Sequence, residues 1–457
     1  MKIIRIAVAV AMVCFLVFTW YSSMSSVGKS AAEFNYYVSQ GDQAVEKAHY
    51  QEAYIAYQNA LSVSSSTEIQ NKILDAYEKR YNETGSYSDL ENLKSAYQSA
   101  TGTFPKSSAY YEKLIKLRVE DGEYKEALSV YTNAANNSAL NDEIKKYYHQ
   151  IKYSYKIQST GYLDYIKGFG NYYAIENYAG WSYVTDDFDT SPSLKYITIG
   201  PIGEDGIFYT EDSNGKTEFV DLYGIVRGKV DENIEKAGIY SNGLTPVQIN
   251  GKYYYIDLDG NRISGPYEFA STYINNLAAV EVSENKWKII DAKGNAVSDT
   301  ILQDVVLDES GCCLIGENRD RIIAKNNDVY SVYKSDLSGK INDFNCDKID
   351  IYTSDELIAT KANGKWGFSS IDGKVAIEPQ YNDAKSFSNG LAAVSNGTTW
   401  SLIDRNSNEV VKGNFTDISY VTSSGRCLVK IEQDEKNVDR DYYDVLQFNF
   451  NDLLNDR

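Results

Sequence analysis

Two periodicities divide the chain. Between residues 31 and 161, alanine, leucine and tyrosine recur at steps of three and four. That spacing lines up apolar side chains on one face of a helix. Proline interrupts this stretch once, at Pro105. Beyond Gly161 the apolar runs become short and alternating, separated by Asn-Gly, Asp-Gly and Ser-Gly pairs. Alternation is the period of a half-buried strand, and such pairs suit tight hairpin turns. The pattern predicts a multidomain α-then-β chain. Ahead of both halves, Lys2 and Arg5 precede an apolar run from Ile6 to Trp20, 15 residues long, or 19 if extended to Met24. A membrane-crossing helix needs roughly 20 residues, and Trp20 and Tyr21 suit an interface. The run predicts a signal anchor, with a cleaved export signal ending near Ser30-Ala31-Ala32 as the alternative. Basic residues keep the short end in the cytoplasm, so the bulk is expected outside it. The expected organisation is a transmembrane helix and Ser-rich linker over 1–29, a helical domain over 30–160 and a β domain over 161–457.

The helical half repeats. Ala48-His49-Tyr50-Gln51-Glu52-Ala53 aligns with Gly85 to Leu90 and with Gly122-Glu123-Tyr124-Lys125-Glu126-Ala127. Tyr50, Tyr87 and Tyr124 stand 37 residues apart, and Ala60, Tyr97 and Ala134 keep the step. These units resemble the tetratricopeptide repeat. The first carries Gly41, Tyr50, Ala53, Tyr57 and Ala60, and the third carries Tyr124, Ala127, Tyr131 and Ala134. Small residues let two helices approach while an aromatic fills the space beside them. The middle unit departs: Leu90 and Tyr97 replace alanines, and Lys94 stands where an aromatic belongs. The resemblance implies a groove for protein or peptide.

The β half repeats as well. Tyr253 and Trp287 are 34 residues apart, as are Trp366 and Trp400, and Gly339 and Gly373. Around each aromatic, an Asn-Gly or similar turn precedes it and an Ile-Asp or related pair follows. Leu-Ala-Ala-Val or a relative lies upstream, at Leu277 to Val280 and Leu391 to Val394. These units resemble the WG repeat, whose Lys-Trp-Gly triplet is intact at Lys365-Trp366-Gly367. Most other copies lack the glycine. One such unit cannot bury its own face, so several must stack or close. A β-propeller-like ring and an open β-repeat array both fit six or seven units. The closing strand Asp444 to Phe450 is expected to pair near Tyr172 to Val184, and the insertion from Leu302 to Asp328 marks the most irregular unit.

Charge and composition then narrow the function. The chain has 457 residues, with 45 basic and 64 acidic side chains, a formal charge of −19. That excludes a general nucleic-acid binder, which needs a basic face. The only histidines, His49 and His149, both lie in the helical half. A Ser-His-Asp or Cys-His site in the β half is therefore impossible. Cys312, Cys313, Cys346 and Cys427 show neither a disulfide framework nor metal-ligand spacing. Asp257-x-Asp259-Gly260-Asn261 has acids like a calcium loop but strands for flanks, so a turn in which Asp binds its own backbone is expected. The pairs Asp186-Asp187, Asp308-Glu309 and Asp355-Glu356 are expected as solvated charge. No catalytic residue, cofactor or metal is predicted. The expected function is a non-catalytic, membrane-anchored scaffold that binds protein through both repeat arrays. The alternative is a cell-wall or carbohydrate binder using exposed Tyr and Trp, which would bring aromatics and carboxylates into one groove.

Overall fold

The computed structural model describes residues 30–189, 195–316, 318–352, 357–431 and 442–454. The chain divides into two compact units between Ile151 and Lys152. Among the described residues, no helix is long and apolar enough to cross a membrane. This corrects the expected single-pass arrangement with its extracytoplasmic bulk. The apolar run on which that expectation rested lies outside the described residues.

The first unit is helical: α1 (30–46), α2 (Tyr50–Val63), α3 (Thr67–Thr84), α4 (Tyr87–Thr103), α5 (Ser108–Glu120), α6 (Tyr124–Asn136) and α7 (Asp142–Lys152). From α2 to α6, each helix packs on the next. Caps mark the boundaries. Ser66 accepts from the Glu68 amide at the start of α3, and Ser86 from the Asp89 amide at the start of α4. Gly85 ends α3 in the left-handed conformation, which costs glycine little. Ala53, Tyr57 and Ala60 of α2 are buried with Ala44, Ile69, Ile73 and Ala76. At Gly41 an added Cβ would stand 2.3 Å from the Tyr57 ring, so the missing side chain makes room for the aromatic. Ala127 and Ala134 are buried in α6, and Tyr131 stacks on Tyr148 at 4.4 Å. Lys94, in the place of an aromatic, is 1% exposed and pairs with Glu91, Asp121 and Glu123.

The second unit is all β apart from α8 (Asn451–Leu454). Its 29 described strands form seven antiparallel sheets in which most strands pair with their neighbours in sequence. The strands that matter below are β1 (Tyr155–Tyr162), β2 (Asp164–Lys167), β3 (Tyr172–Asn177), β4 (Gly180–Thr185), β22 (Lys365–Ser370), β23 (Val375–Tyr381), β27 (Glu409–Ile418), β28 (Arg426–Ile431) and β29 (Tyr443–Phe448). The long strand β27 pairs with β26 (Trp400–Asp404) in its first part and with β28 in its second. β29 pairs with β1, with Lys156 opposite Gln447 and Gln158 opposite Val445. The expected partner of the closing strand, 172–184, is thus replaced by β1. Residues 173–184 pack on β29 through side chains: Tyr173, Ile175 and Val184 share a buried cluster with Leu428 and Val445. Similar clusters join each sheet to the next along the chain.

The repeat turn explains the Asp-x-x-Gly spacing. Asp257 Oδ1 accepts from the amides of Asp259 and Asn261. Asp221, Asp291 and Asp404 do the same with residues two and four ahead. The fourth residue takes a positive φ, for example 80° at Gly260 and 83° at Gly294. The Asp257 segment is therefore a turn, as expected.

The glycine after the signature tryptophan answers a close approach between strands. Register between β22 and β23 runs from Trp366 opposite Tyr381 to Phe368 opposite Ile377, so β23 bulges past Gly367. A Cβ on Gly367 would stand 2.4 Å from the Ile377 carbonyl oxygen and 2.7 Å from the Pro379 nitrogen. In the unit of Tyr253 a glycine lies within the bulge itself: Gly265 falls between Ser264 and Tyr267 on the strand paired with Tyr253, and a Cβ there would meet the Tyr253 oxygen at 2.8 Å. Gly367→Ala is expected to destabilise the β unit by about 2 kcal/mol, because backbone must shift. A urea titration followed by tryptophan fluorescence checks this, since no tryptophan lies between residues 30 and 151.

Candidate functional site

Turns from several sheets of the β unit converge on one cavity of about 370 Å³. Lys167 stands at the end of β2, and Phe169 in the following turn, whose amide donates to the Ile202 oxygen at 2.8 Å. Asp308 and Arg319 come from the insertion, Tyr352 follows β20 (Lys348–Asp350), and Arg405 follows β26. The insertion folds as one more Asp-x-x-Gly turn. Asp308 Oδ1 accepts from the amides of Ser310 and Cys312, and Gly311 takes φ 71°. Two contacts fix this turn in the cavity. Thr272 donates from its amide to the Gly311 oxygen at 2.9 Å, and Ser310 Oγ donates to the Gly168 oxygen at 2.7 Å.

The cations are positioned by aromatic faces. Lys167 Nζ lies 4.4 Å from the centre of the Tyr173 ring and donates one hydrogen bond, to the Gly170 oxygen at 2.8 Å. The Arg319 guanidinium lies 4.2 Å from the centre of the Phe169 ring, with Glu204 at 3.7 Å. Arg405 lies 5.7 Å from the Phe387 ring centre. Tyr352 stacks on Tyr420 at 4.4 Å, and the Tyr420 hydroxyl donates to Asp350 at 2.8 Å. Asp350 also accepts from the Ser386 amide at 2.7 Å. The Tyr443 hydroxyl donates to Asp417 at 2.9 Å, and Lys385 approaches the other Asp417 oxygen at 3.4 Å.

Burial sets the charge states. It pushes Asp308 up to about 6, against the two amide hydrogen bonds that favour its anion. It raises Glu309 to about 7, with Lys385 opposing and Asp350, Asp308 and Asp417 reinforcing. Glu309 is reached by solvent yet crowded by protein, as a group facing an interior space would be. Asp350 is raised and Lys167 lowered, both first by burial. Asp308, bonded within its turn and lining the cavity, is thus more than plain solvated charge, while Glu309 is exposed, as a solvated acid would be. Asp186 also lines the cavity, bonded by Ser423 Oγ. Asp355-Glu356 lies outside the described residues.

A pH dependence follows. The folded chain binds protons on Asp308 and Glu309 that the unfolded chain releases near the ordinary carboxylate range. Stability from these groups is full below roughly pH 4 and is lost as pH rises through about 7. The β unit is expected to resist urea better at pH 5 than at pH 7.5. The double variant Asp308→Asn with Glu309→Gln is expected to flatten that difference, because the side-chain amide introduced at position 308 keeps the acceptor oxygen of the turn.

The repeat-signature residues lie elsewhere. Trp287, Trp366 and Tyr253 pack within or against buried clusters between strands, and Trp400 packs against another. Tyr50 and Tyr124 are half-buried in the helical unit. None of them lines the 370 Å³ cavity. Lys167, Arg319 and Asp308 were not singled out as a site from the sequence, because more than 140 residues separate the first from the other two. One signal was present: Asp308-Glu309-Ser310-Gly311 is the repeat turn, placed outside the 34-residue register. In the helical unit, Glu91, Asp121 and Glu123 converge, and the Lys94 ammonium already stands among them.

Among solved structures, BamB from Moraxella catarrhalis is similar to this chain at 12% identity, covering 65% of this chain and 100% of that one, with a TM-score of 0.41. No curated protein matches the chain. The family described as WG containing repeat matches residues 233–253, 366–398 and 400–433. These matches all lie in the C-terminal region, and the second spans β22, β23 and the bulge opposite Gly367.

Proposed function

We propose that the chain is a non-catalytic binding protein that engages a protein partner through the cavity of its β unit, with the helical repeats as a second binding surface. The cavity carries this reading: cations, carboxyl groups and aromatic faces from distant segments meet there. Catalysis by a histidine-assisted nucleophile has no histidine to use in this unit. The 37-residue step and the fit of Gly41 against Tyr57 support a tetratricopeptide-like stack. The pairing of β1 with β29, and the clusters that join successive sheets, support closure of the β unit as a propeller rather than an open array. The test is capture of partners by the intact chain and by a Lys167→Met, Arg319→Gln chain. A specific partner retained by the first and lost by the second supports the proposal. Equal retention by both places the partner elsewhere, and capture of nothing specific contradicts a scaffold role.

A second reading, binding of a glycan, is favoured by a groove of about 380 Å³ that gathers Phe269, Trp287 and Tyr330 with Glu281 and Asp304. Aromatic faces beside carboxyl groups suit sugar rings and their hydroxyls. Retention on a glycan column that is lost on Trp287→Ala, with the fold intact, would favour this reading over the first.

A further inference from the structure

We infer that the 370 Å³ cavity takes a singly charged carboxylate, held by Lys167 and Arg319. This rests on the reading of that cavity as the binding site and names what it binds. The key observation is Lys167. Its ammonium is crowded by protein, has three donors, and gives one of them to the Gly170 oxygen. Asp186, Asp308 and Glu309 influence it from a distance, but among the described residues no carboxylate stands within ion-pair reach of it. Lys167 is half-buried, and an ammonium so placed without a paired anion is costly, which a ligand carboxylate would relieve. Arg319 adds a second, partly exposed cation whose donors are unused. Its guanidinium plane lies on Phe169, its one ionic neighbour is Glu204 at 3.7 Å, and its donors make no hydrogen bond to any described residue. A stacked guanidinium presents its edge donors at fixed angles, which suits the two oxygens of a carboxylate.

Charge balance selects the valence. Lys167, Arg319 and Arg405 line the space together with Asp186, Glu204 and Asp308, three charges of each sign. A dianion such as phosphate would meet those carboxylates after pairing with the cations, whereas one negative charge matches the unpaired ammonium. The walls select the rest of the ligand. Phe169, Tyr173 and Tyr352 offer apolar faces, so the group carrying the carboxylate is aliphatic or aromatic. Two sources share this chemistry: the free C-terminal end of a partner chain, and a small free carboxylic acid.

Calorimetric titration of the intact chain separates them. The probes are an acetylated Gly-Ala-Phe peptide with a free carboxylate, the same peptide as its amide, hydrocinnamate as the small acid, inorganic phosphate, and phenethylamine as a cation. Saturable binding of the acid peptide, weakened about tenfold or more in the amide, supports a partner's chain end. Binding of hydrocinnamate without the peptide supports a free acid. In either case Lys167→Met and, separately, Arg319→Gln are expected to lower affinity about tenfold while leaving the melting transition in place. Equal affinity for acid and amide, binding of phosphate or phenethylamine alone, or no binding of any probe overturns the inference. If partner capture depends on Lys167 while no carboxylate probe binds, the site reading stands and the carboxylate inference fails. If the acid probe binds while partner capture ignores Lys167, the carboxylate inference stands and the partner reading fails.

Discussion

Lys94→Ala is expected to lower the stability of the helical unit by about 3 kcal/mol. The ammonium is covered to 1% exposure, with Glu91 at 2.8 Å, Glu123 at 3.0 Å and Asp121 in contact. Glu91 lies on α4, Asp121 ends α5 and Glu123 precedes α6, so one cation ties three helices. Its removal leaves three carboxylates facing one another. Arg118 at 2.9 Å still pairs with Glu123, and the acids reach the surface, with exposures from 24% to 42%. Water therefore relieves part of the repulsion, which places the estimate at the low end for a broken buried pair. Far-ultraviolet circular dichroism against urea reads the helices. A cycle with Asp121→Asn and Glu123→Gln should recover part of the loss, because the repulsion that Lys94 relieved is then reduced. A loss under about 0.5 kcal/mol would show that the three acids are hydrated well enough to need no partner.

Trp366→Ala is expected to cost the β unit about 4 kcal/mol, the usual range for removing a large buried aromatic. Trp366 is 5% exposed and shares a cluster with Phe368, Ile377, Phe387, Ala392 and Ile403. These residues belong to two successive sheets, so the cavity left behind opens a seam between repeats. The remaining tryptophans of the β unit, Trp181, Trp287 and Trp400, report the transition. If the variant unfolds at the parent's urea midpoint but loses a partner, Trp366 serves binding, not packing.

Much of this architecture was legible because it is periodic. Helical spacing, the 37-residue step and the 34-residue aromatic step each follow from one repeated packing solution. The Asp-x-x-Gly turns were legible for the same reason, since one carboxylate satisfies two amides in each. What escaped was non-local. The β1 strand, Tyr155–Tyr162, lies in a stretch assigned mostly to the helical domain, and its partner β29 is some 280 residues away. Lys167 and Arg319 line one cavity, a juxtaposition no spacing rule encodes. Asp308 looked like one charged pair among several, yet its turn is carried by an insertion that breaks the repeat and is bonded to Gly168 and Thr272. The Trp366-Gly367 pair was legible as a signature, but its physical reason, the bulge of β23, needed the register. The apolar run at the N-terminus suggested a membrane span that no described helix provides.

Closure of the β unit around the cavity, with β1 and β29 as the joint, is the proposal on which the binding reading depends. Hydrogen exchange of the intact chain tests it. Amides of residues 155–162 and 443–448 are expected to exchange as slowly as those of the central strand β22, because the joint opens only when the whole unit does. Exchange at those two strands as fast as in the exposed turns, with β22 still protected, would contradict a closed unit.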